Sequence, residues 1–220
     1  MALPPGRFSV TADACPSKGM RDRMSQQEAP RQADPIRQDM RVDELGQKKV
    51  LLRPPALDDA AQVAQAQTEL AADGFEFVFQ QPDESWPSYV ARVERQRLGR
   101  DIAPGRVPST FLVAEVGGDI VGRVSIRHEL NDRLAAVGGH IGYAVRPAYR
   151  RRGYAKSMLR QSLELAKGLE LRRVLITCDD DNVASARLIE SCGGLLEDVI
   201  TPDGSPPTRR YWIELTGPAK

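Results

Sequence analysis

The residues best placed by type and spacing to do chemistry lie in one stretch, Val145-Arg146-Pro147-Ala148-Tyr149-Arg150-Arg151-Arg152-Gly153-Tyr154-Ala155. Ahead of it, His140-Ile141-Gly142-Tyr143-Ala144-Val145 reads as a strand that Arg146-Pro147 ends. Behind it the apolar period changes from two to 3.6. Ala155, Met158, Leu159, Ser162, Leu163 and Ala166 form one stripe of a helix expected to end at Gly168. The stretch therefore joins a strand to a helix N-terminus, where several backbone N–H groups lack intrahelical partners and the dipole is positive. Such an end is a ready anion site. Gly153 permits close backbone approach, Ala155 keeps the next turn small, and the arginines add charge suited to phosphate. The expectation is a bound phosphate or pyrophosphate. The Walker pattern fails, because Gly153, Lys156 and Ser157 lack the upstream glycine at the required spacing, and no G-x-G-x-x-G is present. An isolated arginine triplet would read as a solvated helix start; here strand, Pro, Gly and helix all agree.

The elements that must position this stretch follow from the same patterns. Lys49-Val50-Leu51-Leu52-Arg53 reads as a strand stopped by Pro54-Pro55. Asp58 is placed to N-cap a helix through Ala60, Val63, Ala64, Gln67 and Leu70, stopped near Gly74. Phe75, Phe77 and Phe79 alternate as in a short extended segment, and Ser85-Trp86-Pro87 opens a helix with Trp86, Tyr89, Val90 and Val93 on one face. Two strands, 110–116 and 120–127, flank Gly117-Gly118-Asp119 as a hairpin. Val174-Leu175-Ile176-Thr177-Cys178 completes a strand–helix–strand unit, whose two strands should be parallel with a right-handed crossover. A further helix carries Ser185, Leu188, Ile189 and Cys192 on one face. Leu195 to Ile200 and Arg209 to Leu215 close the chain as a hairpin. The class is mixed α/β.

Composition bounds the rest. With 31 basic and 30 acidic residues the net charge is +1, which gives no footprint for sequence-independent nucleic-acid binding. No run approaches the roughly 18 apolar residues of a membrane span. Residues 1–7 hold no apolar signal core. Cys15, Cys178 and Cys192 are sparse and odd in number, and no C-x-x-C suggests zinc. The expected compartment is the cytoplasm. Residues 1–47 are expected to be a disordered extension, 48–216 one domain, and 217–220 a tail.

Arg150-x-x-Gly153-x-Ala155 resembles the (Gln/Arg)-x-x-Gly-x-(Gly/Ala) signature of GCN5-related N-acetyltransferases (GNAT), in the strand-to-helix context that family requires. The resemblance covers residues 49–215. It implies the GNAT fold: a central mixed, mostly antiparallel sheet with a splayed parallel strand pair, flanked by helices. It also implies that Arg150, Arg151, Arg152, Gly153, Tyr154 and Ala155 bind the coenzyme A pyrophosphate. Tyr143, Ala144 and Val145 would then line its arm, mostly through backbone groups. Asn182-Val183-Ala184-Ser185 resembles the family's Asn-x-x-Ser, which brings Asn182 and Ser185 near the coenzyme; Asn182 is equally a good N-cap. The phrases at 177–182, 189–194 and 210–213 resemble a bacterial branch of acetyltransferases with unassigned substrates. The implied reaction transfers acetyl from acetyl-CoA directly to an amine. It needs no metal, nucleic acid or membrane, and the protein would be a monomer or homodimer. In this fold the first two helices commonly border the acceptor site.

The pattern departs from the family at one point. Many members carry a Tyr seven residues after the Asn to protonate the thiolate, and here that residue is Ile189. Tyr143, Tyr154, Tyr211 or water could take the role, with Asn182 beside Tyr143 among the catalytic candidates. For the base, His140 is the first candidate on its ordinary pKa, with His128 and Glu129 behind it. Cys178 reads as a structural thiol, and Asp179-Asp180-Asp181 as a polar turn rather than a metal site. The missing Tyr leaves a second reading, a non-catalytic acyl-CoA-binding sensor or interaction module. Nucleic-acid binding through Arg150 to Arg152 ranks third.

Overall fold

The period-two apolar runs form two sheets in the computed structural model, which describes residues 49–201 and 206–215. The expectations for residues 1–47 and 217–220 lie outside the described residues. The first sheet has strands β1 (Leu51–Arg53), β2 (Ser109–Val116), β3 (Asp119–Arg127) and β4 (Ile141–Val145), in that spatial order and antiparallel throughout. Between β2 and β3, Gly117 and Gly118 take φ of 63° and 93°. A two-residue turn positive at both positions suits the strand twist, and glycine adopts it without a Cβ clash. The second sheet holds β5 (Arg173–Asp179), β6 (Leu195–Ile200) and β7 (Thr208–Glu214). β7 lies in the centre, antiparallel to both neighbours.

Five α-helices complete the described chain: α1 (Ala60–Ala71), α2 (Trp86–Arg97), α3 (Asp132–Ala136), α4 (Tyr154–Gly168) and α5 (Val183–Glu190). Two apolar clusters form around the sheets. One joins Leu112, Val124, Ile126 and Ile141 to Met158, Leu159 and Leu163 of α4 and to the second sheet. The other packs α1 and α2, through Val63, Leu70, Tyr89 and Val93, on Phe111, Val113 and Ala144. The first sheet thus carries α4 on one face and the α1–α2 pair on the other.

Two expectations change in detail, one short helix is added, and β4 and β5 share no ladder. No ladder joins β4 to β5 among the described residues, and every ladder described is antiparallel. Just before β4 begins the two segments are joined by His140 N–H to Leu175 O at 2.7 Å and Leu175 N–H to His140 Nδ1 at 2.9 Å. Asp58 does not cap α1. A 3-10 turn, Leu57–Asp59, precedes that helix, and the buried Asp59 carboxylate holds Arg53 at 2.7 Å through both terminal nitrogens while accepting the Ala56 N–H. Phe75, Phe77 and Phe79 lie in an irregular connection rather than a strand. The short helix α3 has no periodicity to announce it and rests on its cap, where Asn131 Oδ1 accepts from Leu134 N–H.

Candidate active site

The turn between β4 and α4 is fixed from below by Arg146. This side chain is 4% exposed and makes a bidentate pair with Glu69 of α1, at 2.9 and 2.7 Å. Its Nη1 also donates to Ile120 O at 2.8 Å. Pro147–Tyr149 then form a 3-10 turn; Arg150 is extended, and Arg151 and Gly153 both enter the left-handed region, at φ 64° and 77°. Two left-handed residues within three redirect the backbone sharply, at some strain for Arg151. α4 starts at Tyr154, and the N–H of Ser157 is the first to find the carbonyl four residues back, that of Gly153. The amides of Tyr154, Ala155 and Lys156 therefore point outward as donors. A Cβ built on Gly153 would meet nothing within 4 Å, so the space in front of these amides is open.

The arginines of the motif are not equivalent. Arg150 is tied down: Nη2 pairs with Asp73 at 2.6 Å and Nε donates to Val145 O at 3.1 Å. Its charge is already answered, which leaves its backbone as the part available to an anion. Arg151 and Arg152 are exposed, and Arg152 leans over the Tyr149 ring, 5.7 Å from its centroid.

β4 presents its free edge to the space beside α4. Arg127 N–H donates to His140 O, and Arg146 N–H to Val121 O. These bonds set the ladder phase, so Gly142 and Ala144 turn their N–H and C=O to β3, while Tyr143 and Val145 turn theirs to the opposite edge. No ladder meets them there. Of the three residues expected to meet the coenzyme arm through their backbones, Tyr143 and Val145 are oriented for it. Ala144 is not, because its backbone groups are used by β3.

Tyr143 and Ser185, singled out separately, come together. Tyr143 Oη lies 2.7 Å from Ser185 Oγ. Asn182 caps α5 by accepting Ser185 N–H at its Oδ1, 3.0 Å away. Burial pushes the Tyr143 phenol up to about 12, so it holds its proton throughout the neutral range. Ile189 is fully buried in the core.

The remaining candidates are occupied otherwise. His140 is 6% exposed, and its Nδ1 accepts the Leu175 N–H at 2.9 Å. That lone pair bridges the two sheets, and burial, with Arg127 and Arg173 nearby, lowers the imidazole to about 4. The geometry gives His140 a structural part in place of a proton-accepting one. His128 Nε2 is bonded to Thr110 Oγ1 at 2.9 Å, and Tyr211, buried, donates to Glu190 at 3.1 Å. Burial raises the Cys178 thiol to about 11, which suits an inert thiol. No cluster of metal-ligating side chains occurs among the described residues, and no described helix is long and apolar enough to cross a membrane.

Sequence reasoning missed the other face of β3 and β4. Arg123, Ser125 and Arg127 alternate onto the α1–α2 face, with Gly142 opposite Ser125. Arg123 is 3% exposed; its Nε and Nη1 have no partner, and only Nη2 donates, to Glu76 O at 3.1 Å. Phe75 and Phe79 sandwich its guanidinium, with centroids at 4.7 and 4.9 Å. Burial, then Arg127, pushes Arg123 down to about 10. An alternating arginine in a strand reads as a solvent-facing residue, and nothing local signals the distant phenylalanines that cover it.

Comparison with known proteins places this geometry. Residues 49–194 match the family model described as an acetyltransferase (GNAT) domain. The chain is similar in structure to Mycobacterium smegmatis RimJ in complex with CoA-disulfide, with 21% identity and TM-score 0.57, over 75% of this chain and 81% of that one. It is similar to yncA from Salmonella typhimurium with acetyl-CoA (18%, TM-score 0.53, 79% and 98%). It also resembles the microcin C7 self-immunity acetyltransferase MccE in complex with acetyl-CoA and AMP (18%, TM-score 0.54, 76% and 92%). These likenesses establish a shared fold. Among curated proteins nothing matches.

Proposed function

Because the chain belongs to the GNAT acetyltransferase family, we propose that it transfers an acetyl group from acetyl-CoA directly to an amine of a second substrate. The observation that carries this reading is the open space before Gly153, ringed by the outward amides of Tyr154, Ala155 and Lys156 and continuous in sequence with the free edge of β4. The site fits coenzyme A: the amides and the α4 dipole answer a diphosphate, and the Tyr143 and Val145 backbones answer an amide-bearing arm. The acetyl-CoA present in the yncA and MccE structures supports the assignment.

Acetyl-CoA supplies the acyl group as a thioester whose thiol departs. The chain's own residues do three things. The backbone N–H groups on the β4 edge offer hydrogen bonds to negative charge developing on a carbonyl oxygen. Tyr143 Oη, held by Ser185 and through it by the Asn182 cap, keeps a proton available for the departing sulfur. Arg123, Arg127 and Arg173 make the surroundings of β4 cationic, which disfavours a protonated amine there and favours the neutral nucleophile. The Tyr143–Ser185 pair supplies what Ile189 does not, and it favours an enzyme over a silent acyl-CoA-binding module.

Calorimetry with coenzyme A and a thiol-release assay over an amine library test the proposal. Wild type should bind saturably, and Gly153→Glu should weaken binding by about 100-fold or more, since it strains a left-handed position and sets a carboxylate before the diphosphate. Tyr143→Phe should keep coenzyme affinity and lower kcat by roughly 10- to 100-fold. Absence of saturable binding would overturn the reading; binding without thiol release from any amine would leave the non-catalytic module.

A further inference from the structure

Two arginines on one face of β3 stand without a carboxylate. Arg123 holds two buried, unpartnered nitrogens, and Arg127 has one hydrogen bond described, Nη1 to Gly138 O at 3.1 Å. The charges that act on Arg127 are those of Arg133 and Arg106, both cationic. Burying cations this way is costly unless something compensates, and two phenyl rings compensate only in part.

Both guanidiniums converge on one spot. A Cβ built at Gly142 would lie 3.1 Å from Arg127 Nη1 and 3.8 Å from Arg123 Nη1. Ser125 faces the same spot from the opposite strand. Any side chain at 142 would crowd Arg127 Nη1; glycine lets both guanidiniums lie close against the strand, and Gly142 is only half-buried. The result is two fork-shaped donors and a hydroxyl gathered on one face of the β3–β4 pair. Such a set matches a carboxylate or phosphate.

We infer that the Arg123–Ser125–Arg127 face beside Gly142 binds an anionic group of the acceptor, so that the acceptor is a compact amine carrying a carboxylate or phosphate. The inference rests on the acetyltransferase reading. Compactness follows from spacing: Gly142 is one residue, about 3.8 Å of chain, from Tyr143, whose backbone edge serves the transfer. Anion and amine are then separated by a few bonds, as in an amino acid or an aminoalkyl phosphate. The two sheet faces divide the work, with coenzyme on the α4 side of β4 and acceptor anion on the α1–α2 side.

The test uses the full chain and two matched acceptor series under acetyl-CoA: amino acids beside their carboxamides, and phosphoethanolamine beside ethanolamine. The anionic member should be preferred in kcat/KM by roughly 10- to 100-fold, the size of one charge-assisted hydrogen bond. The series that wins identifies carboxylate or phosphate. Arg127→Gln, at a half-buried position, should raise KM for the anionic acceptor by a similar factor and abolish its preference over the neutral one, with coenzyme affinity unchanged. Arg123→Gln should do the same; if it fails to fold, Arg127→Gln alone decides. Malonate and inorganic phosphate titrated calorimetrically into the coenzyme-loaded and free protein read the anion site without turnover. Anion binding lost in Arg127→Gln upholds the site even where coenzyme binding fails, and that failure then falls on the acetyltransferase reading. Equal use of neutral and anionic acceptors, with no anion binding, overturns the inference.

Discussion

Arg146 and Arg123 are almost equally buried, at 4% and 3% exposure, and they are answered in opposite ways. Arg146 meets a carboxylate through two nitrogens and a carbonyl through the third, so each terminal donor is spent inside the protein. Arg123 spends one nitrogen on a carbonyl and leaves two unpaired between aromatic rings. The first arrangement builds a turn: it ties α1 to the segment that leads into α4. The second builds nothing that a neutral side chain could not build. Its two unpaired donors are what the inferred acceptor anion would meet.

Stability measurements should separate the two most strongly. Arg146→Met orphans the Glu69 carboxylate and the Ile120 carbonyl, and should cost about 3 kcal/mol in denaturant unfolding. Coenzyme affinity should fall with it, because the turn before Gly153 loses its anchor. Arg123→Met orphans only the Glu76 carbonyl of an exposed residue and removes a poorly solvated charge. Its stability should stay within about 1 kcal/mol of wild type, or rise. Equal losses at both positions would end the distinction between a spent arginine and a held one.

The acid limb gives a smaller, pH-resolved contrast. The Arg146 hydrogen bonds hold Glu69 below the usual carboxylate range. A carboxyl with a lowered folded pKa contributes stability that is full above its unfolded value, near 4.5, and is lost as pH falls through the folded one. Glu69 is partly exposed, so the effect should be about 1 kcal/mol. Unfolding followed from pH 6 down to 3 should show this loss in wild type and in Arg123→Met, and lack it in Glu69→Gln. A wild-type slope retained in Glu69→Gln would assign it to another carboxylate, of which Asp59, paired with Arg53, is the nearest in kind.

How much was legible in the sequence follows the same division. The β4–α4 segment could be read because its signals are local: a period change, a Pro, and a Gly where φ must be positive. Ser85 as the cap of α2 and the Gly117-Gly118 turn were legible for that reason too. Partners far apart in sequence were not. His140 looks like a base until Leu175 N–H, 35 residues on and in another sheet, takes its lone pair. Tyr143 and Ser185 were each named from the family pattern, and their hydrogen bond across 42 residues was invisible. The central place of β7 depends on which edge the closing hairpin adds to, a tertiary choice that apolar periodicity does not encode. Arg123 was missed entirely, since its cover comes from an irregular segment 44 to 48 residues earlier.

That cover supports the smallest and sharpest test. If the rings of Phe75 and Phe79 stabilise the Arg123 charge, they act through their faces, and each contributes on the order of 1 kcal/mol. Phe79→Leu keeps the apolar bulk and removes one face. In a double-mutant cycle with Arg123→Met, the coupling between the two positions should be about 1 kcal/mol. Malonate or phosphate should then raise the melting temperature of Phe79→Leu more than that of wild type, because an anion replaces what the ring supplied. Coupling near zero would mean that the rings only cover Arg123. The charge would then owe its place to the arriving anion alone, and Phe79→Leu would leave anion affinity where it was.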